Sequence, residues 1–212
     1  MENVENIERI ARENIKIAKD EKQIAKDSKE IIKTQIKKSE AREELALRGM
    51  ELAKIRRDLA KETKELIKRK ITVKELLEYS DMGLKIEEDH AIYNEKLAGI
   101  QLEIADLHKK IAKIEKKLAG ENKKLIDEKI ESSNQREKLA KKQLDYVKIC
   151  RSAASEEKRN LAKEKFLTRQ QNLFKIERKI ADKDEEIKKI QMKLSDSKKE
   201  LGLKLSERER IK

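Results

Sequence analysis

The chain has 212 residues, with 55 lysines and arginines against 43 aspartates and glutamates, a net charge of +12, and no proline. With 46% charged and only 2% aromatic residues, it holds too little bulky apolar material for a globular core, and must bury a seam along helices instead. No stretch approaches the roughly 18 consecutive apolar residues of a membrane span, and the first residues lack a signal-peptide pattern, which points to a cytoplasmic protein.

From the N-terminus, Ile10, Ile17, Ile24, Ile31, Leu45, Leu52, Leu59, Leu66 and Val73 recur at seven-residue spacing, with Lys38 as the one interruption. Each is followed by a second track of mostly small residues: Ala11, Ala18, Ala25, Ile32, Ser39, Ala46, Ala53, Ala60 and Ile67. A heptad repeat held this long keeps one helical face turned toward a partner, as coiled-coil packing requires. Residues 1–79 are therefore predicted to form one helix. Its first turns, with Ile7, Ile10 and Ile17 among Arg9, Arg12, Lys16 and Lys19, could also adsorb to an anionic membrane surface. Glu5, Glu8, Glu13 and Asp20 oppose that, and the phase continues unbroken into the seam.

A turn is predicted at residues 80–84, where serine, aspartate and glycine fall together. Beyond it Leu97, Ile104, Ile111, Leu118, Leu125 and Leu139, with Ala98, Ala105, Ala112, Ala119, Ile126 and Ala140 beside them, predict a second helix over 85–154. Ile100, Leu107 and Ile114 widen its apolar face enough for two neighbours. The phase breaks again near Ser155, a candidate helix cap followed by Glu156 and Glu157. Phe166, Leu173, Ile180, Ile187, Leu194 and Leu201 then form a third stripe, predicting an amphipathic helix over 155–212 and a candidate assembly face. The fold class is all-α: a long antiparallel helical hairpin, or coiled coil, with a third C-terminal helical segment.

Folding back at Met82 sets residue i opposite residue 164 minus i, so that Leu45, Leu52, Leu59 and Leu66 meet Ala119, Ala112, Ala105 and Ala98. Large facing small on each layer predicts these eight residues as the helix-packing interface. At this register Lys61, Glu40, Lys33 and Lys19 meet Glu103, Lys124, Glu131 and Asp145, but Lys68, Lys54 and Lys26 meet Lys96, Lys110 and Lys138. The charges do not choose a register, and packing is taken to decide it.

The positive charge is graded rather than patched: residues 1–100 are nearly neutral, and the excess lies in residues 101–212. Without a basic stripe or interleaved aromatics, only weak, nonspecific nucleic-acid binding is expected. Glu87 and His90 have the Glu-x-x-His spacing of a di-iron bundle, but His108 follows Ala105 at the matching position, so the motif is incomplete. Cys150 is alone, which rules out an intrachain disulfide and reads as a small core residue. No catalytic arrangement, metal, cofactor or small-molecule substrate is expected.

At the level of architecture alone, a long hairpin turning near residue 82 with a further helix resembles the ESCRT-III and phage-shock membrane-remodelling family. No motif accompanies the resemblance, and no residue role is carried over. The composition favours a structural coiled-coil protein, a self-assembling scaffold, spacer or filament subunit, with a homo-oligomer or another coiled-coil protein as partner. The alternative is a peripheral membrane-remodelling protein that polymerises on anionic membranes.

Overall fold

The computed structural model describes residues 2–75, 82–152 and 154–211. They form three helices: α1 (Glu2–Glu75), α2 (Met82–Arg151) and α3 (Glu156–Arg210). α1 and α2 pack as an antiparallel hairpin, and α3 folds back along α2. With no proline in the chain, nothing interrupts the backbone ladder within an element. The break before α3 is chemical: the Lys158 backbone N–H donates to Ser155 Oγ at 3.5 Å, and Glu156 and Glu157 occupy the positive first turn. Only part of the expected turn at 80–84 falls on described residues. Ser80 and Asp81 lie outside the described residues, whereas Met82, Gly83 and Leu84 already belong to α2.

The chain divides into two units, one of residues 1–36 and 117–190 and one of residues 37–116 and 191–212. In the first, Ala11, Ala18, Ala25 and Ile32 are buried against α2, which contributes Ala119, Ile126, Ser133, Ala140 and Val147. Ala25, Ile32, Ala119 and Ile126 form its core cluster, flanked by Ile36 and Ile130. Lys29 to Asp127 (2.6 Å), Arg136 to Glu21 (2.9 Å) and Arg151 to Glu8 (2.6 Å) close the hairpin. α3 is tied to α2 by Arg136 to Glu177 (2.9 Å) and Lys183 to Glu121 (3.0 Å), and buries Ile187 and Ile190.

The second unit repeats the plan. Ala46, Ala53, Ala60 and Ile67 of α1 are buried with Ala91, Ala98, Ala105 and Ala112 of α2. Arg42 to Glu115 (2.7 Å), Glu40 to Lys116 (3.2 Å), Lys64 to Glu95 (3.0 Å) and Lys70 to Glu87 (3.8 Å) join the two helices. Lys198 to Glu115 (3.3 Å) and Lys204 to Glu103 (2.6 Å) join α3 to α2.

Two sequence expectations are corrected here. The first is the register. In each of the seven α1–α2 ion pairs among the described residues the α2 residue lies five to eight positions before the one expected; Glu40 meets Lys116, not Lys124. The slip is one heptad. It leaves the phase of both tracks intact, which is why the aliphatic pattern could not detect it. The second correction is the buried face. Leu45, Leu52, Leu59 and Leu66 are exposed by 50–66%, while Ala98, Ala105, Ala112 and Ala119 are at most 8% exposed. At the observed register Ala53 stands level with Ala105 and Ala60 with Ala98, so small faces small. Alanine on both sides lets two helices approach at the close end of the usual 8–10 Å range. A Cβ built on Gly49 would lie only 3.8 Å from the Ala105 Cβ. The leucines precede the seam alanines by one residue, about 100° around the helix, and so point sideways.

Ser132 and Ser133 stand where the two tracks of α2 would carry apolar residues. Ser132 and Ser133 are buried without breaking α2, because Ser133 Oγ donates to the Lys129 carbonyl at 3.0 Å and so satisfies itself within the helix. Cys150, expected in the core, is exposed.

Two measurements check this arrangement. In a Cys150→Ser background, Glu40→Cys with Lys116→Cys should cross-link readily, whereas Glu40→Cys with Lys124→Cys, displaced by about 12 Å along α2, should not. Gly49→Ala should raise the melting temperature, because 3.8 Å is an ordinary contact and glycine within a helix costs about 1 kcal/mol relative to alanine. A lowered melting temperature would mean that the seam is closer than described.

Candidate assembly surface

Rotating the alanines inward turns the aliphatic track of α1 outward. In the first unit Ile10, Ile17, Ile24 and Ile31 are exposed by 43–65%; in the second, Leu45, Leu52, Leu59, Leu66 and Val73 by 50–66%. Single exposed aliphatics are ordinary on a protein surface, but a heptad-spaced series on one helix face is half of a coiled-coil seam.

In each unit the track borders a groove floored by α2 and walled on its far side by α3. In the second unit this groove is lined by Leu45 and Leu52 of α1, Ile104 and Ile111 of α2 and Leu201 of α3. In the first unit Ile24, Leu125 and Ile180 hold the corresponding places. The candidate assembly face on α3 is thereby only partly free. Ile187 is buried, and Phe166, Leu173, Ile180, Leu194 and Leu201 are half-buried beside α2. The exposed apolar residues of α3 are instead Leu161, Leu167, Phe174, Met192 and Leu203. The structure thus moves the free apolar stripe from α3 to α1. A signal for this was present in the sequence: the α1 track has alanines beside it on one side only, so one helix cannot bury both tracks against a single neighbour.

The electrostatics of the grooves differ. Arg42, Arg56, Lys198 and Arg208 line the second unit's groove with Glu115 as the sole acid. Burial pushes the Glu115 carboxyl up, but hydrogen bonds from Arg42 and Lys198 outweigh it and hold the group below its ordinary 4.5. Arg208 Nε is buried with no hydrogen-bond partner among the described residues. The first unit's groove is balanced, with Glu21 and Glu177 against Lys129 and Arg136. There Arg136 is held further toward its charged form, first by its hydrogen bond to Glu177 and then, against some desolvation, by the nearby Glu21 charge.

The incomplete Glu-x-x-His motif has another occupation: Glu87 pairs with Lys70, and Glu87 and His90 border a groove with Leu66 and Val73. Among the described residues no cluster of three histidine, cysteine, aspartate or glutamate side chains could hold a metal, and no helix is long and apolar enough to cross a membrane. Lys142, Lys148, Lys158 and Lys165 surround a smaller basic groove near the α2–α3 connection, with Asp145 among them. No protein-family model matches the chain, and no curated protein shows significant sequence similarity to it.

Glu115 is the natural electrostatic probe, because its carboxylate bridges α1 and α3 while only 14% exposed. Its folded pKa is depressed, so it adds stability that is present above its unfolded value and is lost as pH falls through the lower folded value. Glu115→Gln should lower stability by about 1 kcal/mol near neutral pH, discounted for its half-exposed cationic partners. The difference from wild type should vanish on acidification below 4.5, as followed by thermal melts across pH.

Proposed function

We propose that this protein is a structural coiled-coil subunit that self-assembles into a scaffold or filament, with no catalytic role. The observation that carries the proposal is the α1 track: nine aliphatic side chains at heptad positions left exposed in a chain whose seam is otherwise covered. Removing such a stripe from water is the dominant favourable term available to the molecule, and another helix is the partner it fits geometrically. Homo-oligomers, or contact with another coiled-coil protein in the cytoplasm, follow from that reading. The absence of a three-ligand cluster among the described residues is consistent with it but carries no weight of its own.

The alternative is adsorption to an anionic membrane, and it is favoured by the same exposed stripe together with the charge of +12. Against it stand Glu44, Glu51, Asp58 and Glu65, each preceding one of the exposed leucines, which would be brought against anionic headgroups.

Analytical ultracentrifugation at tens of micromolar decides between them when combined with co-sedimentation on phosphatidylserine vesicles. The expected result is a salt-tolerant oligomer that ignores the vesicles. Leu52→Asn should dissociate it while shifting the melting temperature of the subunit little, since exposed substitutions usually change stability by no more than about 0.5 kcal/mol. A monomeric wild-type protein would remove the proposal.

A further inference from the structure

We infer that the occupant of the α1 face is the α1 face of a second copy, laid antiparallel about a twofold axis at Ala41. This deepens the scaffold reading and rests on it. The argument comes from the charges flanking the track, which change sign along the helix. Immediately before the exposed aliphatics stand Arg9 and Lys16, then neutral Gln23 and Glu30, in the N-terminal half, and Glu44, Glu51, Asp58 and Glu65 in the C-terminal half. Three positions after them stand Glu13, Asp20 and Asp27 in the N-terminal half, but Arg48 and Arg69, with Glu62, in the C-terminal half. A surface whose two halves carry opposite flanking charges is complementary to itself when reversed.

The heptads admit only a few antiparallel registers, and the charges choose among them. With the twofold at Ala41, Ile17, Ile24 and Ile31 face Leu66, Leu59 and Leu52 of the second copy. Lys16 then meets Glu65, Lys37 meets Glu44 and Glu13 meets Arg69, each twice by symmetry; Glu30 meeting Glu51 and Asp20 meeting Glu62 are the like-charge contacts. Lys38, the polar interruption in the track, faces Leu45 with Glu44 beside it, where its ammonium group can reach a carboxylate. One heptad to one side, Lys38 would face Lys38 and Lys37 would face Lys37. One heptad to the other, Leu45 would face Leu45 and bring Glu44 against Glu44. A single polar residue inside an aliphatic track is the kind of feature that fixes coiled-coil register.

A parallel pairing fares worse. It stacks Lys38 on Lys38, and its flanking attractions would draw on Glu21, Arg56 and Lys70, which α2 already engages through Arg136, Gln101 and Glu87. Lys16, Lys37 and Glu65 are exposed and have no partner within the described chain. The antiparallel arrangement also lays the N-terminal half of α1, with Asp20, Asp27 and Glu30, over the second unit's groove of the other copy. That groove carries Arg42, Arg56, Lys198 and Arg208 against one acid, and Arg208 Nε there lacks a partner.

The test uses full-length protein with Cys150→Ser and one new cysteine at a time. Ala41→Cys should oxidise to a covalent dimer, because the axis places that residue against its own copy. Thr34→Cys and Arg48→Cys should not do so singly, each lying about 20 Å from its own copy, but should cross-link when the two proteins are mixed. Equal dimerisation by all three single variants would indicate a parallel pair and overturn the proposal, as would cross-linking by none. Lys37→Glu should weaken self-association about tenfold in sedimentation, and Lys37→Glu with Glu44→Lys should restore it; failure of the rescue also overturns it. If Ala41→Cys fails while the wild type still sediments as an oligomer, the register is wrong and the scaffold reading stands. If the wild type is monomeric and instead binds phosphatidylserine vesicles, both are wrong.

Discussion

Close contact between two alanine-rich helix faces is the constraint from which the rest of this structure follows. Ala18, Ala46, Ala53 and Ala60 on α1 and Ala98, Ala105, Ala112 and Ala140 on α2 are nearly inaccessible to solvent. Alanine loses no rotamer freedom on burial and is the strongest helix former, so this seam carries little entropic cost per residue. It also contributes little hydrophobic energy, since burial scales with apolar area. The molecule compensates by widening α2: Ile104, Leu107, Ile111 and Leu125 are buried as well, with α3 along the helix beside them. α2 is therefore the shared element of each unit, and α1 keeps its larger side chains for the outside.

How far this was legible in the sequence depends on what the heptad pattern encodes. Helix identity, the hairpin order and the cap at Ser155 were readable because they depend on local periodicity and on residues adjacent in the chain. The register was not readable from the aliphatic residues: shifting α2 by seven positions returns Ala112 to the place of Ala119 with no change of face. The orientation of α1 is hidden in the sequence for a different reason. Large residues would bury most area in a seam, yet Leu45 and Leu52 give way to Ala46 and Ala53, because helix approach distance, not residue size, decides which track faces α2. The position of the free stripe followed from that one rotation.

The ion pairs identify the register but do not by themselves account for it. Each exposed ion pair contributes at most about 1 kcal/mol, and none alone would fix a hairpin. Seven ion pairs among the described residues are distributed along both units at the observed register, but a shift of one heptad only exchanges Lys68 against Lys96 for Lys61 against Lys96. A shift of one heptad leaves the alanine tracks in the same phase, so the hydrophobic term is nearly degenerate between the two registers.

That near-degeneracy shapes how the chain reaches its native state. The pair Lys64–Glu95 closes a span of 31 residues, while Arg151–Glu8 closes 143. Loop-closure entropy favours contacts near the α1–α2 connection first, with the rest zipping outward heptad by heptad. A hairpin that started zipping seven residues out of step would keep its tracks in phase and could reach the native alignment only by opening again. Concentrated salt screens the exposed ion pairs and leaves the alanine seam untouched, so at high ionic strength the hairpin is held by the part of its interface that is the same in every heptad.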